Sequence, residues 1–164
     1  MILGIDPGVN CGATLLGDNG ILLVSALFRA PKGGGEADRA AALAGEIWSW
    51  AGGNGVGLGS DKLVLEWPQV YQGGKQKGDP NDLLFLAAID GALAAKFPTV
   101  QVIQFKPQQW KGQVPKEIMT KRILGKLRSD EEKTWKTCTQ SVPSSLVHNV
   151  VDSLGIALHA AGRL

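Results

Sequence analysis

Apolar positions along this chain alternate between two periods. Ile2 to Ile5 is a short apolar run of strand length, and Ala13 to Leu27 reads as two further strands folded back about the turn Gly17-Asp18-Asn19-Gly20. From Glu36 to Trp50 the period changes. Leu43, Ile47 and Trp50 recur at three- and four-residue steps, the signature of a helix with one buried face. Lys62 to Glu66 returns to strand character. A polar, glycine-bearing, basic stretch follows and closes at Asp79-Pro80, a cap and first-turn proline that open a helix running to about Lys96. Val100 to Phe105 is a fifth strand. A helix is expected from about Pro115 to Leu127, and a last one from Leu146 to Ala161 with Gly162 as its stop.

Three strands followed by helix, strand, helix, strand and helices imply an α/β fold. Its five-stranded mixed sheet would hold an antiparallel hairpin meander, then parallel strands, with helices on both faces. At 164 residues and 44% hydrophobic content the chain suits one domain with a real core, 1–164. No apolar stretch reaches the roughly 18 to 20 residues of a membrane span, and no charged segment precedes the first apolar run. A cytoplasmic protein is expected. Cys11 and Cys138 lack partners at metal-ligand spacing and read as reduced bystanders.

Charge changes the picture only locally. The net value is +2, yet between Lys106 and Arg128 stand Lys111, Lys116, Lys121, Arg122 and Lys126 against the single acid Glu117. Such a segment can follow a phosphate backbone even in a nearly neutral molecule.

The candidate chemistry lies in carboxylates at odd places. Asp6 ends the first strand and is followed at once by Pro7 and Gly8, and Glu66 ends the fourth. An unpaired charge in an apolar setting costs several kcal/mol, so something should compensate it. In open sheets, sites gather beyond the carboxyl ends of parallel strands, where these two acids would meet if their strands are neighbours. In the last helix Asp152 shares a stripe with His148, Gly155 and His159, apart from the apolar face of Val147, Val150, Val151, Leu154, Leu158 and Ala161. Asn149 stands three residues before Asp152, so imidazole or amide could join it. Oxygen-rich donors with an occasional imidazole suit magnesium or manganese.

The segments "GIDPGVNCGATLL", the strand-ending Glu66, "KPQQWKGQVPKEIMTKRIL" and "HNVVDSLGIALHAA" together resemble the RuvC-type Holliday junction resolvases, particularly their shorter phage relatives. The resemblance spans nearly the whole chain. It implies a ribonuclease H-like fold, a homodimer, and hydrolysis of phosphodiesters at four-way DNA junctions by two Mg2+ ions per site, with Mn2+ able to substitute. It also implies metal ligands at Asp6, Glu66 and Asp152. Where the family commonly has a fourth acid, this chain offers His148 or Asn149, with His148 preferred. Lys116, in the matching "VPK", is expected to steady developing charge on the phosphate.

Lys75, Lys77, Lys111, Lys121 and Arg122 are candidate phosphate contacts, and Tyr71 a ring that could stack on an unpaired base at a junction centre. Trp67, on the same loop, is the other ring that could do so, with Tyr71 preferred; the remaining tryptophans read as packing residues. Asn81 to Lys96, apolar on more than one side, is the candidate dimer interface. Two further readings stay open: a ribonuclease H-like nuclease for other branched DNA or RNA, and a non-catalytic DNA-binding dimer. "GIDPGVNCGATLL" is also similar to the phosphate loop of sugar kinases and actin-like ATPases. Those need a second lobe for which 164 residues leave no space, so no nucleotide cofactor is expected.

Overall fold

The computed structural model describes residues 1–56, 61–70, 79 and 81–164. Its strands are β1 (Ile2–Asp6), β2 (Asn10–Leu16), β3 (Leu22–Arg29), β4 (Lys62–Glu66) and β5 (Gln101–Phe105). They form one sheet of order β3-β2-β1-β4-β5. β1 and β2 pair antiparallel, as do β2 and β3, whereas β4 lies parallel to both β1 and β5. The expected mixed sheet is the observed one.

The helices are α1 (Glu36–Gly53), α2 (Asp82–Lys96), α3 (Pro107–Trp110), α4 (Lys116–Leu124), α5 (Ser129–Thr139) and α6 (Val147–Ala160), with a 3-10 turn over Ser144–Leu146 before the last. Alternation along the strands divides the interior into two cores. Leu3, Ile5, Leu63 and Leu65 point to one face and pack with Leu43 and Ile47 of α1 and Phe85, Ile89 and Leu93 of α2. Val64 points to the other face, with Met119 and Ile123 of α4, Trp135 of α5 and the apolar side of α6.

Close approach of α6 to the sheet is what the glycines of β1 and β2 permit. A Cβ on Gly12 would lie 2.0 Å from the carbonyl oxygen of Asn149, and one on Gly4 2.7 Å from that of Ser153. Any side chain there would lift the helix away. A buried hydroxyl chain ties the same layers together: Thr14 Oγ1 is 2.8 Å from Ser25 Oγ and 2.9 Å from Ser153 Oγ, and Ser153 donates to the carbonyl of Val150 at 2.9 Å.

Several elements differ from expectation: α3 falls where no helix was expected, and α1 runs on to Gly53 rather than ending at Trp50. α4 stops at Leu124 rather than Leu127, with Gly125 as its cap. α5 was not anticipated, because "SDEEKTWKTCT" has no apolar period and buries only Glu131 and Trp135. It is held by charge. Glu131 Oε1 accepts from the Leu22 amide at 2.7 Å and from Arg163 Nη1 at 2.7 Å, while Oε2 accepts from the Arg128 amide at 2.8 Å and from Arg163 Nη2 at 2.8 Å. With four donors satisfying it, this buried carboxyl is held down at about 2, burial alone acting the other way.

Candidate active site on the helix α6 face

Ile2, Gly4 and Asp6 occupy alternate positions of β1, so Asp6 shares the α6 face with Gly4. In the parallel β1–β4 register Gly4 faces Val64 and Ile5 faces Leu65, which puts Asp6 and Glu66 at the next step, on the same face and the same end. Adjacent strands are about 4.8 Å apart. Asp152 comes down from α6, whose Asn149 backbone lies against Gly12, the residue paired with Asp6.

The electrostatics register this meeting. Burial, and then the nearby charges of Asp152 and Glu66, push the Asp6 carboxyl well above its usual range, and Lys111 and Lys116 only partly offset that. Asp152 is also raised, first by burial and then by Glu66, against Lys111, Lys116 and His148. Three carboxylates in one partly buried volume therefore repel one another. Among the described residues no side-chain hydrogen bond or ion pair engages Asp6 or Asp152.

Glu66 is different. Trp110 Nε1 donates to its Oε2 at 2.6 Å, and the Lys111 ammonium lies 2.9 Å from Oε2 and 3.3 Å from Oε1. Burial works against the charged ammonium, but Glu66, and behind it Asp152 and Asp6, raise the Lys111 pKa overall. Lys111 also lies 4.8 Å from the centre of the Trp110 ring. The sequence reading placed Lys111 among phosphate contacts and Trp110 among packing residues; in the structure both grip a strand-ending acid.

Their position follows from local structure. Phe105 of β5 pairs with Glu66, and the chain turns at once into α3, where the Lys106 amide donates to Gln109 Oε1 at 2.7 Å. That single turn delivers Trp110 beneath Glu66. The indole fits because α6 carries Gly155 there, where a Cβ would lie 2.5 Å from Trp110 Cζ3 and 2.7 Å from Ile123 Cδ1. The stripe of His148, Asp152, Gly155 and His159 is thus a packed seam rather than a free face, and His159 meets Phe105 edge to face at 4.8 Å.

His148 and Asn149 are both half-buried. His148 interacts electrostatically with Asp152, while Asn149 Nδ2 is turned back to the Leu146 carbonyl at 3.3 Å. Lys116, Lys121 and Arg122 are exposed on α4. Tyr71, Lys75 and Lys77 lie outside the described residues.

Among the described residues no group of three or more His, Cys, Asp or Glu stands arranged to hold a metal ion. The donor chemistry nevertheless fits a hard divalent cation. Two carboxylates without partners and a third balanced by an ammonium form an excess of negative oxygen that such an ion would relieve.

No protein-family model matches the chain, and no curated protein matches its sequence. Solved structures do. Thermus thermophilus RuvC in complex with a Holliday junction substrate superposes with a TM-score of 0.58 at 15% identity, over 98% of this chain and 92% of that one. A further Thermus thermophilus RuvC structure gives 0.53 at 18% identity with the same coverage. The yeast mitochondrial Holliday junction resolvase Ydc2 gives 0.58 at 16% identity, over 95% of this chain and 75% of that one. The fold is therefore the ribonuclease H-like fold that these resolvases share.

Proposed function

We propose that this chain is a structure-selective endonuclease that resolves four-way DNA junctions by divalent-metal-dependent phosphodiester hydrolysis. The observation that carries the reading is the convergence of Asp6, Glu66 and Asp152 at one end of the sheet, under α6, in the fold of RuvC. Asp6, Glu66 and Asp152 would hold Mg2+, or Mn2+ in its place, with His148 or Asn149 as the neutral fourth donor. Two ions bound there would activate the attacking water and stabilise the leaving oxygen.

The chain's own groups supply the rest. Lys116, exposed at the start of α4, lies close enough to influence Asp6 and Asp152 and is suited to the charge that builds on phosphate. Lys121 and Arg122 continue that basic surface, and Lys75, Lys77 and Tyr71 are assigned to the DNA on sequence grounds. Such contacts position the backbone without reading sequence.

A junction with two-fold symmetry needs two related sites for paired nicks, so the working form is a homodimer, here one of cytoplasmic chains in a bacterial or phage-infected cell. α2 is the proposed interface. Phe85, Ile89 and Leu93 face the core, while Leu84 on the outer side is 64% exposed. Among the described residues no helix is long and apolar enough to cross a membrane.

The test compares labelled four-way junctions, flaps and linear duplexes with Mg2+, with Mn2+ and with chelator. Symmetric paired nicks confined to the junction are expected. Equal cutting of flaps would move the reading to another ribonuclease H-like nuclease, and binding without cutting would leave a DNA-binding dimer.

A further inference from the structure

Glu66 is gripped by two unlike donors. The indole N–H of Trp110 is neutral, 4% exposed, and fixed in a notch that only a glycine at 155 leaves open. The Lys111 ammonium is charged, partly exposed, and on a flexible stem. One is a rigid bracket; the other is a counter-ion.

Resting on the functional reading above, we infer that Lys111 is the resident cation of the unloaded acid cluster and exchanges with the divalent ion, while Trp110 stays on Glu66 and aims it. Trp110 takes one lone-pair direction of Oε2, and the rest of the carboxylate remains available to a metal once the ammonium leaves. An indole holding a ligating carboxylate in this way sets its orientation as an outer-shell partner does. The exchange also accounts for two facts together: Glu66 holds the Lys111 ammonium at 2.9 Å, and the three acids, among the described residues, are not arranged as a cage. Once displaced, the ammonium is free for a phosphate oxygen, so ion loading and backbone contact are coupled through one side chain.

Lys111 and Trp110 give effects of opposite sign, which a general loss of packing would not. Mn2+ alone, without DNA, is titrated into the 164-residue chain by calorimetry, with circular dichroism checking that each variant is folded. Lys111→Met should bind Mn2+ on the order of tenfold more tightly, since a competing charge has gone. Lys111→Arg should stay near wild type. Trp110→Phe, which keeps an aromatic ring but loses the N–H with the five-membered ring that bears it, should bind about tenfold more weakly.

Mn2+ affinity in Lys111→Met equal to or below that of wild type overturns the exchange, even where junction cleavage is intact and the functional reading stands. Absence of Mn2+ binding in both wild type and Lys111→Met overturns the exchange and the functional reading together. Should Trp110→Phe not fold, the Lys111 variants decide alone.

Discussion

Two carboxylates in this protein, the buried Glu131 and the half-buried Glu66, are each gripped by a cation, and they are built to opposite ends. Glu131 has backbone amides from Leu22 and Arg128 and both terminal nitrogens, Nη1 and Nη2, of Arg163, and its carboxyl is held down at about 2. Glu66 has one indole and one ammonium, with two further acids close by that are pushed upward. A planar guanidinium fork with every oxygen satisfied locks a helix to a strand. A single ammonium beside three acids leaves charge unresolved, which is the condition for binding something else.

The sharpest way to separate the two is to neutralise one acid in each. Asp6→Asn should lower junction cleavage by on the order of 10³-fold, about 4 kcal/mol in the barrier, while gel-shift binding of the junction persists. Glu131→Gln should leave cleavage chemistry alone and cost about 3 kcal/mol of stability in denaturant unfolding, because Arg163 loses its buried partner. The pH dependence has a definite sign. A carboxyl with a depressed folded pKa contributes stability that is present above its ordinary value near 4.5 and lost as pH falls toward about 2. Wild type should therefore lose stability across that window, and Glu131→Gln should lose less.

Smaller effects refine the comparison. Gly155→Ala should cost roughly 1 to 3 kcal/mol, since the added Cβ meets Trp110 and Ile123, and it should weaken Mn2+ binding by shifting the indole under Glu66. Asp90, 1% exposed in α2 with both oxygens unpartnered among the described residues, is pushed up to about 8, first by burial and then by Glu66. For an acid raised in the folded state the sign reverses, and stability declines as pH rises from about 4 toward about 8. Asp90→Asn should flatten that decline and add on the order of 1 kcal/mol at neutral pH, read as a melting-temperature rise that grows with pH.

Strand-ending acids stood out as candidates because a carboxylate at the close of an apolar run breaks local consistency. The mixed sheet was equally legible from the two periods and the hairpin turn. Trp110 escaped because an indole that packs and an indole that also donates have the same sequence signal; the difference lies in Gly155, 45 residues further along, which opens the notch. Lys111 escaped for a related reason. A lysine in a basic run looks like a phosphate contact, and only the parallel pairing of β4 with β5 brings it to Glu66. α5 escaped because its anchor, the Glu131–Arg163 clamp, joins residues 32 apart with no periodicity to announce it.

The most direct test of the central claim is a crystal soaked in Mn2+ and measured at the manganese absorption edge. The account predicts anomalous density between Asp6, Glu66 and Asp152, with the Lys111 ammonium moved off Glu66 and the Trp110 contact kept. Density elsewhere, or none, with Lys111 still seated on Glu66, would contradict it.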